Sequence, residues 1–138
     1  GELKHVRILG PERSATQIEL AQTDCRNIGI KAPVRSSGDT KGTPGVTLRG
    51  PNGTLTVPEG VMIADRHIHM TPAQAVAFGL ADGDRVQVKI DGPKPGVMGG
   101  VLIRANDKCA LDFHIDTDDG NAFLLKQGQL VTVLGKEE

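Results

Sequence analysis

The stretch Val61-Met62-Ile63-Ala64-Asp65-Arg66-His67-Ile68-His69-Met70 decides how this chain is read. Its apolar character predicts a strand over 61–70, and side chains two apart in a strand project from the same face. His67 and His69 can therefore bring two imidazoles to one point. The next residues complete the unit. Thr71 suits a helix N-cap, Pro72 the first helical position, and Gln74 closes a capping-box pattern, so a helix is expected over Pro72–Phe78, ended by Gly79.

Moving 45 residues downstream repeats the pattern. His69 falls on His114, Ala77 on Ala122, Phe78 on Phe123, Leu80 on Leu125, Gly83 on Gly128, Val86 on Val131 and Val88 on Val133. Each unit reads strand, histidine, capped short helix, Leu-x-x-Gly turn, strand, and this order predicts a pseudo-symmetric barrel. In the second unit Leu111, Phe113 and Ile115 are expected to face the core, with Asp112, His114 and Asp116 facing away. His67, His69 and His114 thus occupy strand ends that the fold can join. Three imidazoles with an open fourth position match a catalytic zinc site better than a closed structural one. The competing reading is of ordinary polar strand histidines. The fourth histidine, His5, is expected in solvent.

Other expected strands are Val6–Leu9, Thr16–Leu20, Gly45–Leu48, Thr54–Val57, Arg85–Ile90, Gly100–Arg104, Ala110–Ile115 and Gln129–Leu134. Turns such as Gly50-Pro51-Asn52-Gly53 and Asp91-Gly92-Pro93-Lys94 separate them. Two further short helices are expected, near Asp24–Ile28 and from about Asp118 to Lys126 with Thr117 as N-cap. The 138 residues suit one compact domain or two small intertwined barrels. With 16 basic against 17 acidic residues, no general nucleic-acid or membrane-surface binder is indicated. Three Phe and no Trp or Tyr leave no base-stacking platform. No apolar run approaches the roughly 18 residues of a membrane span. Cys25 and Cys109 form no CxxC pair and are expected as buried, reduced thiols.

Arg13 follows Gly10-Pro11, a turn that can present its guanidinium to phosphate. Glu19 lies on the face opposite Ile18 and Leu20, as a metal ligand or a solvated edge carboxylate; from the residues alone the solvated reading is the better account of both Arg13 and Glu19. The loop from Ser36 to Gly45 has small residues suited to phosphate but lacks the Walker spacing, so an ordinary loop is the better account. Asp116-Thr117-Asp118-Asp119-Gly120 is too short for a calcium loop and reads as helix capping.

Gly10–Glu19, Ala32–Arg35 with Ser37-Gly38-Asp39 and Gly42–Gly45, Arg66–Met70, and His114–Asp118 with Asn121 together resemble four blocks of the PduL-type phosphate propanoyltransferases of bacterial microcompartments. The resemblance spans essentially the whole chain. It implies a mainly β fold of two small β-barrels capped by short helices: residues 1–64 the first, incomplete barrel, and residues 65–138 the second. It implies two zinc ions at the barrel interface, one held by His67, His69 and His114, the other with help from Glu19. It implies that Arg13 contacts phosphate and that Arg7, Leu9, His114 and Asn121 line a coenzyme A site. The family's upstream segment, with a further His-x-His pair, is not in this sequence, so a truncated or split chain is expected. Arg26 stands where an apolar or aromatic residue is expected near the adenine.

The implied activity is exchange of a propanoyl or similar short acyl group between coenzyme A and phosphate by direct zinc-assisted transfer. No cysteine nucleophile is expected, since neither cysteine has an evident activating neighbour. A homodimer in the bacterial cytoplasm, inside a microcompartment with its shell or lumen proteins, is implied as well. Two alternatives stay open. One is a three-histidine iron or manganese oxidoreductase or isomerase barrel; the other is a non-catalytic coenzyme A-binding fragment.

Overall fold

The computed structural model describes residues 1–138, which divide into two compact units, Gly1–Ala64 and Asp65–Glu138. The chain is mainly β with three short helices.

In the first unit, β1 (Ile18–Glu19), α1 (Gln22–Ile28) and β2 (Val34–Arg35) precede the hairpin β3 (Val46–Gly50) and β4 (Gly53–Val57), and β5 (Val61–Ala64) follows. β5 lies between β1 and β2, parallel to both. α1 ends on Gly29 at φ 80°, a left-handed position that glycine takes without steric cost. Leu20, Cys25 and Val61 form a small core, with Ile18, Ile28 and Ile63 packed against it.

The second unit carries β6 (His67–Met70), α2 (Pro72–Ala77), β7 (Arg85–Ile90), β8 (Gly96–Ala105), β9 (Asp112–His114), α3 (Thr117–Phe123) and β10 (Thr132–Lys136). Its five strands run in the order β10-β7-β8-β6-β9. β7 shows why one face is buried: Val86, Val88 and Ile90 are fully buried while Arg85, Gln87 and Lys89 are exposed. These residues join Ile68, Met70, Met98, Val101 and Ile103 in the main core.

Both repeat units take the expected form. Thr71 caps α2 in a full capping box, and 45 residues later Asp116 caps α3 by accepting from the Asp119 N–H. The cap of α3 is therefore Asp116 rather than Thr117, which is already helical; the extended Asp116 backbone points its carboxylate at the Asp119 N–H, 2.8 Å away. Equivalent residues pair with one another across the sheet: Ile68 with Phe113, and Val88 with Val133.

Several expected strands differ. Val6–Leu9 forms none, and Ile8 and Leu9 are 96% and 75% exposed, because no strand of this chain pairs with them. The run 61–70 breaks at Asp65-Arg66 into β5 and β6. Leu111 is half exposed rather than core-facing, lying ahead of β9, whereas Phe113 and Ile115 do pack on the core. None of the three sheets closes into a barrel by strand pairing. No helix is long and apolar enough to cross a membrane.

Candidate metal centre

The second unit's sheet has one face on the core and one turned away from it. On the latter face, register places His67 opposite His114 across β6 and β9, and His69 opposite Asp112. Paired residues share a face, so two histidines from β6 and one from β9 converge. Their ring centroids lie 4.7 to 5.1 Å apart, and one nitrogen from each falls within 4.8 Å of the others.

Each ring is held by a neighbour. His67 is buried, and its Nδ1 lies 2.7 Å from the Asp65 carbonyl oxygen. A carbonyl only accepts, so the Nδ1 carries the proton and the Nε2 offers a lone pair. That Nε2 lies 3.1 Å from His69 Nε2. His69 Nδ1 in turn meets Cys109 Sγ at 3.1 Å. His114, exposed at the strand end, sets Nε2 3.1 Å from Asp112 Oδ2. Burial holds the His69 pKa below its ordinary 6.5, helped by His67, His114 and Arg104 and opposed by Asp112. The ring is neutral at pH 7, as a metal ligand must be.

These residues fit a divalent ion. Zinc–nitrogen bonds of about 2.0 Å at tetrahedral angles put ligand nitrogens roughly 3.3 Å apart. The His67–His69 separation already matches, and the exposed His114 is the arm with room to adjust. Outer partners on the far ring nitrogen are what metal-bound histidines ordinarily have.

The other expected site residues are placed as follows. Arg13 lines a cavity of about 300 Å³ in the first unit with Ser14, Gln17, Gly38 and Thr40. The loop read as ordinary thus borders it: Gln17 accepts from the Gly38 N–H at 2.7 Å and donates to Ser37. Glu19, on β1, is exposed and accepts from Gln17 at 2.5 Å. Arg7 and Leu9 lie exposed in the coil before β1. Asn121 on α3 lines a groove of about 560 Å³ in the second unit, with Asp112, Phe113 and Val131. Arg66 ties α3 to the start of β6 through Asp119 at 3.0 Å.

Two neighbours of the histidines escaped the sequence reading. Cys25 is a buried core thiol as expected, but Cys109 is half-buried and touches His69, so it does have a polar neighbour. Arg104 pairs with His69 in the β6–β8 register. Neither contact has a local sequence signal, since both depend on where the 96–110 segment returns to β6.

A mainly β unit bearing three convergent imidazoles with engaged far nitrogens defines a candidate metalloprotein of the open, catalytic type. A phosphate propanoyltransferase family model matches residues 1–126. The phosphate propanoyltransferase of Thermotoga maritima is 46% identical over 135 residues, covering 97% of this chain and 64% of the relative. That of Salmonella typhimurium is 48% identical over 123 residues, 88% and 59% of the respective chains. That of Rhodobacter capsulatus is 46% identical over 133 residues, 96% and 62%. The chain belongs to the phosphate propanoyltransferase family. It spans 59–64% of the length of these curated relatives.

Proposed function

We propose that this chain carries the metal centre of a phosphate acyltransferase that interconverts propanoyl-CoA plus phosphate with propanoyl phosphate plus coenzyme A. The convergence of His67, His69 and His114 carries the reading, and family membership supports it. The ion is zinc, held by these three imidazoles. When bound, it supplies Lewis-acid charge to the thioester oxygen.

Arg13 binds inorganic phosphate with its fork of N–H donors, and holding it lowers the entropic cost of attack. A phosphate oxygen forms the new bond to the carbonyl carbon, the C–S bond breaks, and coenzyme A leaves as the thiolate. Transfer is direct, with Cys109 holding His69 rather than carrying the acyl group. Asn121, His114, Arg7 and Leu9 contact coenzyme A, and Glu19 is a ligand of a second zinc.

The barrel reading of the second unit draws on its symmetry. Ile68 with Phe113 and Val88 with Val133 define a local twofold relation between the repeats. β8 has no counterpart in it, and a strand related to β8 between the edges β9 and β10 would close the barrel. The first unit, residues 1–64, is read as the other barrel. The working protein is a homodimer within a bacterial microcompartment in the cytoplasm.

The test is phosphate-dependent release of coenzyme A from propanoyl-CoA by the zinc-loaded chain. Turnover that requires both phosphate and metal is expected. Coenzyme A binding without turnover would instead favour a non-catalytic fragment, and oxygen consumption with iron or manganese an oxidoreductase.

A further inference from the structure

The second unit contains three arginines, and two are neutralised. Arg66 pairs with Asp119 at 3.0 Å, and Arg85 pairs with Asp65 at 2.6 Å while also donating to the Gly100 carbonyl. Arg104 is half-buried on β8, and its guanidinium has no carboxylate or hydrogen-bond partner. It sits opposite His69 in the parallel β6–β8 ladder, with Asp112 opposite His69 on the other side. The row therefore reads Arg104, His69, Asp112 across one face, and the adjacent row reads Leu102, His67, His114. Asp112, the acid of Arg104's row, lies one strand further away and is engaged by His114 at 3.1 Å.

We infer that Arg104 is an anion-binding residue of the three-histidine face, taking a phosphate-type oxyanion of the substrates beside His69. Two physical arguments support this. A partly desolvated guanidinium with no counter-ion is costly, and an incoming oxyanion removes that cost. A guanidinium next to a cation-binding triad also repels the ion unless an anion lies between them, so the pair forms a site for a negatively charged group. The inference rests on the acyltransferase reading, which supplies two sources of such an oxyanion: inorganic phosphate and the phosphates of coenzyme A.

The test measures binding to the zinc-loaded full chain by calorimetry, with inorganic phosphate and coenzyme A as separate titrants, in wild type, Arg104→Gln and Arg104→Lys. Zinc content and thermal unfolding are recorded for each. Losing a charge-assisted contact weakens binding by about 10–100-fold. Arg104→Gln is expected to lose that much affinity for at least one titrant with zinc content unchanged, and Arg104→Lys to recover part of it. Loss for phosphate alone assigns Arg104 to the attacking phosphate; loss for coenzyme A alone assigns it to that molecule's phosphates. If Arg104→Gln misfolds, Arg104→Met, which keeps an unbranched stem but no charge, replaces it in the same comparison with the same expected loss. Undiminished binding of both titrants in a folded variant overturns the assignment and leaves the acyltransferase reading standing. A wild type that binds neither titrant overturns both.

Discussion

The Nε2 atoms of His67 and His69 face each other at 3.1 Å, while the Nδ1 atoms of both rings are engaged by Asp65 and Cys109. Without a metal, the His69 Nε2–H can donate to His67 and the Cys109 thiol to His69 Nδ1. With a metal, both Nε2 lone pairs turn to the ion and His69 Nδ1–H donates to the sulfur. The same heavy-atom positions serve both states, so loading the site needs a tautomer change in His69 and little backbone movement.

Cys109 should act from the outer shell. Cobalt-substituted protein is expected to show visible bands of a nitrogen-ligated site without an intense near-ultraviolet sulfur band. Cys109→Ala is expected to weaken zinc binding by about 10-fold, toward the low end of outer-partner effects. Cys109→Ser should restore most of it, and both variants should keep turnover at saturating zinc. Loss of turnover in the zinc-saturated serine variant would point to an acyl-cysteine route.

The buried and exposed histidines should behave differently. Removing His67 empties a buried side-chain position and leaves the half-buried Asp65 carbonyl without its donor. His67→Ala is expected to lose metal binding and about 1–3 kcal/mol of metal-free stability. His114→Ala, at an exposed strand end, is expected to lose metal binding with little change in metal-free stability. Urea unfolding of both variants after chelator treatment makes the comparison.

Acid should destabilise the metal-free protein through His69. Its folded-state pKa is depressed below 6.5, chiefly by burial, so the unfolded chain binds the proton more readily. Stability from this group is present above 6.5 and is lost progressively as pH falls from there to the lower folded-state value. The urea midpoint of metal-free wild type should drop between pH 8 and 5.5, and His69→Gln should drop less. Equal slopes would show that other groups govern acid sensitivity.

The α2 cap should be worth a measurable amount. Thr71 Oγ1 accepts from the Gln74 N–H at 3.2 Å, and Gln74 Oε1 accepts from the Thr71 N–H at 2.8 Å. Thr71→Ala is expected to cost about 1 kcal/mol in urea unfolding, with Thr71→Ser close to wild type. An alanine variant as stable as wild type would mean that packing of Ala75 alone sets this helix.

What was legible in the sequence is what local chemistry determines. His67 and His69 share a face because strand alternation has period two, and Thr71 with Gln74 writes a helix start in four residues. The 45-residue repeat is legible because matched residues recur in the same order, His69 with His114 and Phe78 with Phe123, and in the sheet equivalent positions pair, Ile68 against Phe113. The parallel β6–β8 crossover was not visible, and with it went Arg104 and Cys109, which reach His69 only through that register and the turn after it. Val6–Leu9 has the composition of a strand, but a strand needs a partner, and composition does not supply one.

Zinc bound per chain after equilibrium dialysis, wild type against His69→Ala, tests the metal centre most directly. At least one zinc per wild-type chain is expected, with a loss of one in the variant, whose fold is checked by circular dichroism. Equal zinc in the two proteins, or none in wild type, would contradict the three-histidine centre.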